Sequence, residues 1–524
     1  MFASGFLGSF LILANVLGFA GCGGGEENLK ENPPAPTPTS PPTPTDPPST
    51  TDPPDPCSTT DEPWQKDAFC PSKNFRHLCA NPSVAFNKNA TVQGTRTDEN
   101  NWLRSWSHEI YLWYDEIVDM NPTCCTTPEY FDLMKTSQTT SSGKPKDRFH
   151  FSQSTAEYNQ FSQQGVEAGY GAVFRVLRAT VPRKVIVLRT EPNSPATASS
   201  VNLLRGTEIL GIDGIDLVNT TDAVEVAALN SALNPSSGDN HTFTVKDPGA
   251  SSQERSVPMT AGTVTVSPVQ EVKVITTSGG DRVGYMLFNS HISTAAQPLI
   301  NAVNSFVQGT EIDDLVLDLR YNGGGAISIA QLITSMIAGS AGNGKTFAKI
   351  EYNDKKKDAS YPFATSFNSA TLPTLDLSRL FVLTSASTCS ASELIINSLM
   401  GVDVDVIVIG TATCGKYHGF IPRDNCGTTY FSIEFRVVND RGAADYDDGF
   451  SPDCSVADND YEHQLGDPEE SLLKTALAYQ ADDMCPSSDS AMIQGSSAKS
   501  SQEGRLSINP APAPHSDLPG LVLD

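Results

Sequence analysis

Hydrophobic and polar positions divide this 524-residue chain into stretches of different period. Residues 6–20 are predominantly apolar and of signal-peptide length, too short to span a membrane comfortably. Residues 23–56 begin Gly-rich and end PPAPTPTSPPTPTDPPSTTDPPDP, a composition that buries no core and predicts an extended spacer. Aromatic and aliphatic residues then recur at helical spacing through Asn101-Trp102-Leu103-Arg104-Ser105-Trp106 and Ile110-Tyr111-Leu112-Trp113-Tyr114. From about 165 to 266 short strands alternate with turns, around an apolar strand at 185–188 and a helical pattern at 223–233. Beyond this, apolar strands at 283–288, 315–319, 381–384 and 406–409 alternate with helical runs at 327–337 and 394–400, which predicts an α/β layer with parallel strands. Residues 428–438 read as further strands and 442–453 as acidic loop. The Ser-, Pro- and Ala-rich tail, 486–524, is expected to be disordered.

The formal charge of -26 and the lack of a basic stripe exclude a nucleic-acid binder. An ordered part of about 430 residues is too long for one domain and suggests two or three. Eleven cysteines behind an export-like segment point to an oxidising compartment. With Cys22 set aside, Cys57, Cys70, Cys79, Cys124, Cys125, Cys389, Cys414, Cys426, Cys454 and Cys485 form an even set whose connectivity the sequence leaves open. Cys389 and Cys414 flank the candidate chemistry, so a bridge involving either would brace it. No C-x-x-C occurs and no histidine pair stands at zinc-ligand spacing, so no metal site is expected.

That chemistry lies in 383–420, LTSASTCSASELIINSLMGVDVDVIVIGTATCGKYHGF. Ser390 opens a helix and Lys416 follows a buried strand. A serine hydroxyl needs a base to take its proton. A lysine serves when an apolar pocket pushes it toward its neutral form, and free N–H groups at the helix start favour developing negative charge. The stretch G-x-x-x-x-GK also matches most of a P-loop, but Tyr417 replaces the magnesium-binding Ser or Thr, and Gly419 and Pro422 oppose the helix a P-loop needs. Upstream, Asp318-Leu319-Arg320-Tyr321-Asn322-Gly323-Gly324-Gly325 is a glycine turn between strand and helix that can aim an N–H at an oxyanion or cradle a phosphate.

Together, S-A-S-E with the following lysine, the DLR-x-N-x-GG match at 318–325 and the GY-x-x-F match at 284–288 resemble the S41 serine peptidases, the C-terminal processing or tail-specific proteases. The resemblance covers roughly 101–480. It implies a multidomain fold: a helical N-terminal cap at 57–160, a PDZ-like β-rich domain at 165–268 and an α/β crotonase/ClpP-like protease core at 275–482. It also implies Ser390 as nucleophile rather than Ser392, Lys416 as general base, an oxyanion hole from the N–H groups of Ala391 and the Gly324/Gly325 turn, and peptide hydrolysis through an acyl-enzyme without metal or organic cofactor. Phe420 stands where the family often has glutamine. On an extended segment His418 would share a face with Lys416, orient it as a hydrogen-bond acceptor and give activity an acid limb near the histidine pKa of about 6.5.

Gly169-Tyr170-Gly171, Asn193-Ser194-Pro195-Ala196 and 206–214 resemble a PDZ domain, whose Gly-x-Gly loop takes a C-terminal carboxylate and whose strand edge pairs with a peptide. Phe19-Ala20-Gly21-Cys22 resembles a bacterial lipobox, which implies a signal peptide at 1–22, lipidation of Cys22 and a membrane anchor. The expected setting is the cell envelope, facing the periplasm or the surface as an outer-membrane lipoprotein, with protein or peptide substrates recognised through their C-termini. The alternative is an inactive or weakly active envelope scaffold that binds protein C-termini through the PDZ-like domain.

Overall fold

The computed structural model describes residues 64–82, 92–249, 251–309, 311–444 and 446–486, together with the backbone of 520–522. Cys22, the 23–56 spacer, Cys57 and most of the 486–524 tail lie outside the described residues.

The central layer is a six-stranded sheet in the order Val269–Thr276, Arg282–Phe288, Asp314–Asp318, Arg379–Thr384, Asp405–Gly410, Cys454–Ser455, parallel from the second strand onward. Its strands read as unbroken apolar runs because both faces are covered. Leu315, Leu317, Leu380, Val382, Val406 and Val408 pack with the helices Ala296–Gln308, Ile327–Ala338 and Ala391–Met400. The alternate residues Val316, Phe381, Leu383, Ile407 and Ile409 pack on the other face with Leu472, Leu473 and Ala476 of the helix Ser471–Asp482. The period of two therefore assigns each strand residue to one of two buried layers.

Beside this layer stands a second six-stranded sheet in the order Gly324–Ala326, Gly520–Val522, His418–Phe420, Phe435–Val438, Thr346–Tyr352, Ala359–Pro362. Its second member corrects the reading of 486–524 as wholly disordered. Gly520–Val522 is a strand, parallel to both neighbours.

Near the N-terminus, the helix Arg96–Ile110 starts at a capping box in which Asp98 N donates to Thr95 and Thr95 N donates to the Asp98 carboxylate. Trp102 and Trp106, one turn apart, stack at 5.0 Å and bury against Tyr130, Phe131 and Tyr430. The following strand Phe151–Ser154 pairs with Thr428–Phe431 of the core, and Cys79 is bridged to Cys426, so this segment is joined to the core by backbone and by sulfur. Every described cysteine is disulfide-bonded, including the Cys124–Cys125, Cys389–Cys414 and Cys454–Cys485 pairs.

Residues 165–268 form a sheet ordered Glu254–Thr260, Asn240–Lys246, Glu208–Ile212, Lys184–Thr190, Ala172–Arg178, covered by the helix Ala223–Leu233 with its own apolar core. Ala172–Arg178 is one of the two edge strands of that sheet, Glu254–Thr260 being the other.

Candidate active site

Ser390 sits on a strained elbow between strand Arg379–Thr384 and helix Ala391–Met400, at φ 60° and ψ -110°. A residue with a Cβ holds such a conformation at a cost of about 1–3 kcal/mol, so the surroundings must impose it. They do so through the DLRYNGGG turn. Ser385 Oγ donates to the Arg320 carbonyl, Thr388 Oγ1 to the Leu319 carbonyl (2.9 Å), and Cys389 N and Ser392 Oγ both donate to the Asn322 carbonyl (3.2 and 2.9 Å). The Ser392 hydroxyl is thereby committed. The Ser390 hydroxyl is fully buried and has no hydrogen-bond partner.

Lys416 is also fully buried, and its Nζ has no hydrogen-bond partner. The amine lies 3.7 Å from the Phe420 ring centroid and 4.7 Å from that of Phe149. Burial pushes its pKa well below the usual lysine range, opposed by the charges of Asp147 and Glu393. Phe420 is thus part of the desolvating wall. Ser390 Oγ and Lys416 Nζ do not hydrogen-bond each other in this state. Such contacts tighten on substrate binding in many enzymes.

Glu393 joins the two residues, a role that the sequence reading missed. Its buried carboxylate accepts from Ser390 N (2.8 Å), Thr413 Oγ1 (2.5 Å), Gly415 N (2.7 Å) and Lys416 N (2.8 Å), tying the start of the serine helix to the lysine loop. Burial raises its pKa, against the pull of these donors. The Cys389–Cys414 disulfide makes a second tie, and Arg148 Nη2 caps the loop through the carbonyls of Cys414, Gly415 and Asp447. The one signal in sequence was the S-x-x-E spacing of a capping box. Here only the Glu393 half forms, which leaves the serine hydroxyl free.

The glycine turn lies against the elbow. A Cβ on Gly324 would fall 2.9 Å from both Ser390 Cβ and Ala391 N, so the close approach requires glycine. Gly324 N donates to Asn322 Oδ1 (3.0 Å), which corrects its place in the expected oxyanion hole. Gly325 N remains. His291 N donates to the Gly324 carbonyl and Ala326 N to the His291 carbonyl, so the N–H and C=O of Gly325 point to the opposite edge of the strand. Asn322 Oδ1 also meets His291 Nδ1 at 2.9 Å, which assigns the proton to Nδ1 and leaves the buried Nε2 unpartnered. Burial brings the His291 pKa down to about 3.

His418 requires correction. Residues 412–417 are irregular and the strand starts at His418 itself, so the alternation that would bring its imidazole to Lys416 does not hold. Its ring packs edge-on against Trp113 and beside Tyr417, and Lys416 Nζ donates no bond to it. Burial, helped by the charge of Lys416, lowers its pKa to about 3, far from the expected acid limb.

Gly169, Tyr170 and Gly171 lead into the edge strand Ala172–Arg178. Tyr170 is buried and donates to the Ala232 carbonyl at the end of the covering helix. The Tyr170 and Gly171 carbonyls accept from Ala196 N and Glu191 N, so they are used inside the fold. This domain reaches the glycine turn through an ionic network that is buried except at Arg175. Arg175 and Arg205 bind Asp458, which accepts from Tyr321 Oη, while Arg320 is paired with Asp318, Asp458 and Glu470.

Residues 282–454 match the sequence model of Peptidase family S41. They belong to that family of serine-type peptidases. The S41 match contains both the glycine turn and the Ser390–Lys416 segment. Among solved structures, a chain described as an S41 protease from Bacteroides fragilis superposes with a TM-score of 0.59 at 22% identity, over 73% of this chain and 97% of that one. That likeness shows the S41 fold. The photosystem II D1 C-terminal processing protease aligns with a TM-score of 0.42 at 18% identity (73% and 98% of the two chains), and mature CPAF with 0.39 at 12% (74% and 97%). No curated protein matches the chain in sequence.

Proposed function

We propose that the chain is a serine endopeptidase of the C-terminal processing type that cleaves unfolded or tail-exposed envelope proteins. Ser390 attacks the peptide carbonyl, neutral Lys416 takes its proton and returns it to the leaving amine, and the N–H groups of Gly325 and Ala391 hold the oxyanion. One observation carries this reading: a hydroxyl on a strained elbow and an amine in an aromatic pocket are both buried and unpartnered, yet Glu393 and a disulfide join their segments. A purely structural pair has no reason to leave two buried polar groups without partners. The Gly169–Tyr170–Gly171 loop with the edge strand Ala172–Arg178 serves to read substrate C-termini, and lipidated Cys22 serves to anchor the chain to a membrane. Cys22→Ser would then release the protein from the membrane fraction, and a wild-type protein wholly soluble after fractionation would remove the anchor.

The test is digestion of β-casein, an unfolded protein, followed by mass spectrometry. Ser390→Ala and Lys416→Ala abolish cleavage, and Ser392→Ala retains it. Full activity of Ser390→Ala removes the assignment. The scaffold reading draws on the absence of a Ser390–Lys416 hydrogen bond, and inactive wild-type protein that still binds peptide C-termini would favour it.

A further inference from the structure

The second sheet contains a slot one strand wide. Gly324–Ala326, with the candidate oxyanion donor, and His418–Phe420, two residues beyond Lys416, do not pair with each other. Both pair with Gly520–Val522, more than a hundred residues away in sequence. Neighbouring strands lie about 4.8 Å apart, so the slot walls stand roughly 10 Å from each other, the space of one extended peptide.

The pairing register locates a single bond. Gly520 is opposite Gly324 and Leu521 opposite Gly325, and the outward edge at Gly325 faces the inserted strand. In a parallel ladder this places the Gly520 carbonyl on Gly325 N–H and Val522 N–H on the Gly325 carbonyl. On the other wall, Glu434 N donates to the Gly419 carbonyl, so His418 and Phe420 present their polar backbone groups to the slot. With Leu521 opposite Gly419, the Leu521 N–H falls on the His418 carbonyl. The peptide bond between Gly520 and Leu521 is therefore gripped by its oxygen on one wall and its N–H on the other. Gly520 lies opposite Gly324, the residue at which a Cβ would fall 2.9 Å from both Ser390 Cβ and Ala391 N. The helix Ala391–Met400 also lies against this strand.

We propose that the chain cleaves itself in cis between Gly520 and Leu521. The reaction uses the Ser390–Lys416 chemistry of the preceding reading. Ser390 Oγ bonds to the Gly520 carbonyl carbon as its proton passes to the Lys416 amine. The Gly520–Leu521 C–N bond then breaks, and the Leu521 nitrogen takes that proton. Water hydrolyses the ester, frees Ser390 and leaves a carboxylate on Gly520. Until it is cut, the strand also competes with substrates in trans. A tethered segment has an effective concentration of roughly 1 mM, so a strand that binds with a Kd of about 0.1 mM leaves the slot open in about one molecule in ten.

The experiment follows the intact mass of the purified full chain and its hydrolysis of β-casein in the same reaction. Loss of the residues from Leu521 onward is expected, with a first-order rate independent of protein concentration, and absent in Ser390→Ala. Val522→Pro removes the N–H that the Gly325 carbonyl accepts, and should slow self-cleavage about tenfold or more while casein hydrolysis persists. Deletion of 487–524 should raise the initial rate of casein hydrolysis about tenfold over that of the uncut chain. Casein cleavage with an unchanged chain mass overturns self-cleavage and leaves the peptidase reading intact. No cleavage of either overturns both. A self-cleavage rate that rises in proportion to protein concentration, or one that Val522→Pro leaves unchanged, overturns the in-cis strand.

Discussion

Replacing Lys416 by methionine should stabilise the protein while abolishing its activity. The wild-type amine is buried without a hydrogen bond against Phe420 and Phe149. Leaving a buried polar group unpaired costs about 1–3 kcal/mol, and methionine fills similar volume without that penalty. The gain corresponds to a Tm rise of about 2–4 °C per kcal/mol for a domain of 150–250 residues. The difference also depends on pH. The folded-state pKa of Lys416 is depressed by burial below that of the unfolded lysine, so between the two values the unfolded chain binds more protons. Wild-type stability therefore rises with pH across that window, by up to about 1.4 kcal/mol per unit, and levels off near the unfolded value of about 10.4. The advantage of Lys416→Met is largest below the folded pKa and shrinks as pH rises. Thermal unfolding of both proteins from pH 6 to pH 10 measures it. A destabilised Lys416→Met protein, or two curves that run parallel across the range, would refute a desolvated, unpartnered lysine.

Glu393→Ala leaves Ser390 N, Gly415 N and Lys416 N without their shared acceptor, and should cost about 3–5 kcal/mol in urea unfolding and remove casein cleavage. His418→Ala should lower stability by loss of packing on Trp113 yet keep the shape of the pH–rate profile, because His418 titrates near 3; a displaced acid limb would return it to the mechanism. Peptides ending in a free apolar carboxylate should bind more tightly than their amides if the loop at Gly171 reads C-termini, and equal affinities by calorimetry would make the domain structural.

Much of this site was legible because its local patterns agree with its tertiary contacts. The buried strands and the 327–338 and 391–400 helices follow from apolar runs between glycine punctuation, and the 223–233 helix emerges with its expected bounds. Ser390 and Lys416 were visible as types in a spacing, and the structure brings their segments together. Glu393 was invisible as a brace because three of its four donors arrive from residues 413–416, whose return to the helix start is a tertiary event. Gly324 and Gly325 could not be told apart from sequence, since the direction of each N–H depends on the pairing of Gly325 with His291. His418 was misplaced by assuming extended backbone through 412–417, which is irregular. Gly520–Val522 forms a strand only by borrowing two edges distant in sequence, and composition carries no trace of such a partner.

The most direct test of Ser390 as a nucleophile activated by Lys416 is fluorophosphonate labelling of the full chain with peptide mapping by mass spectrometry. The adduct is expected on Ser390 alone, and it should disappear in Lys416→Ala. An adduct on Ser392, or labelling of Ser390 that Lys416→Ala leaves unchanged, would contradict the dyad.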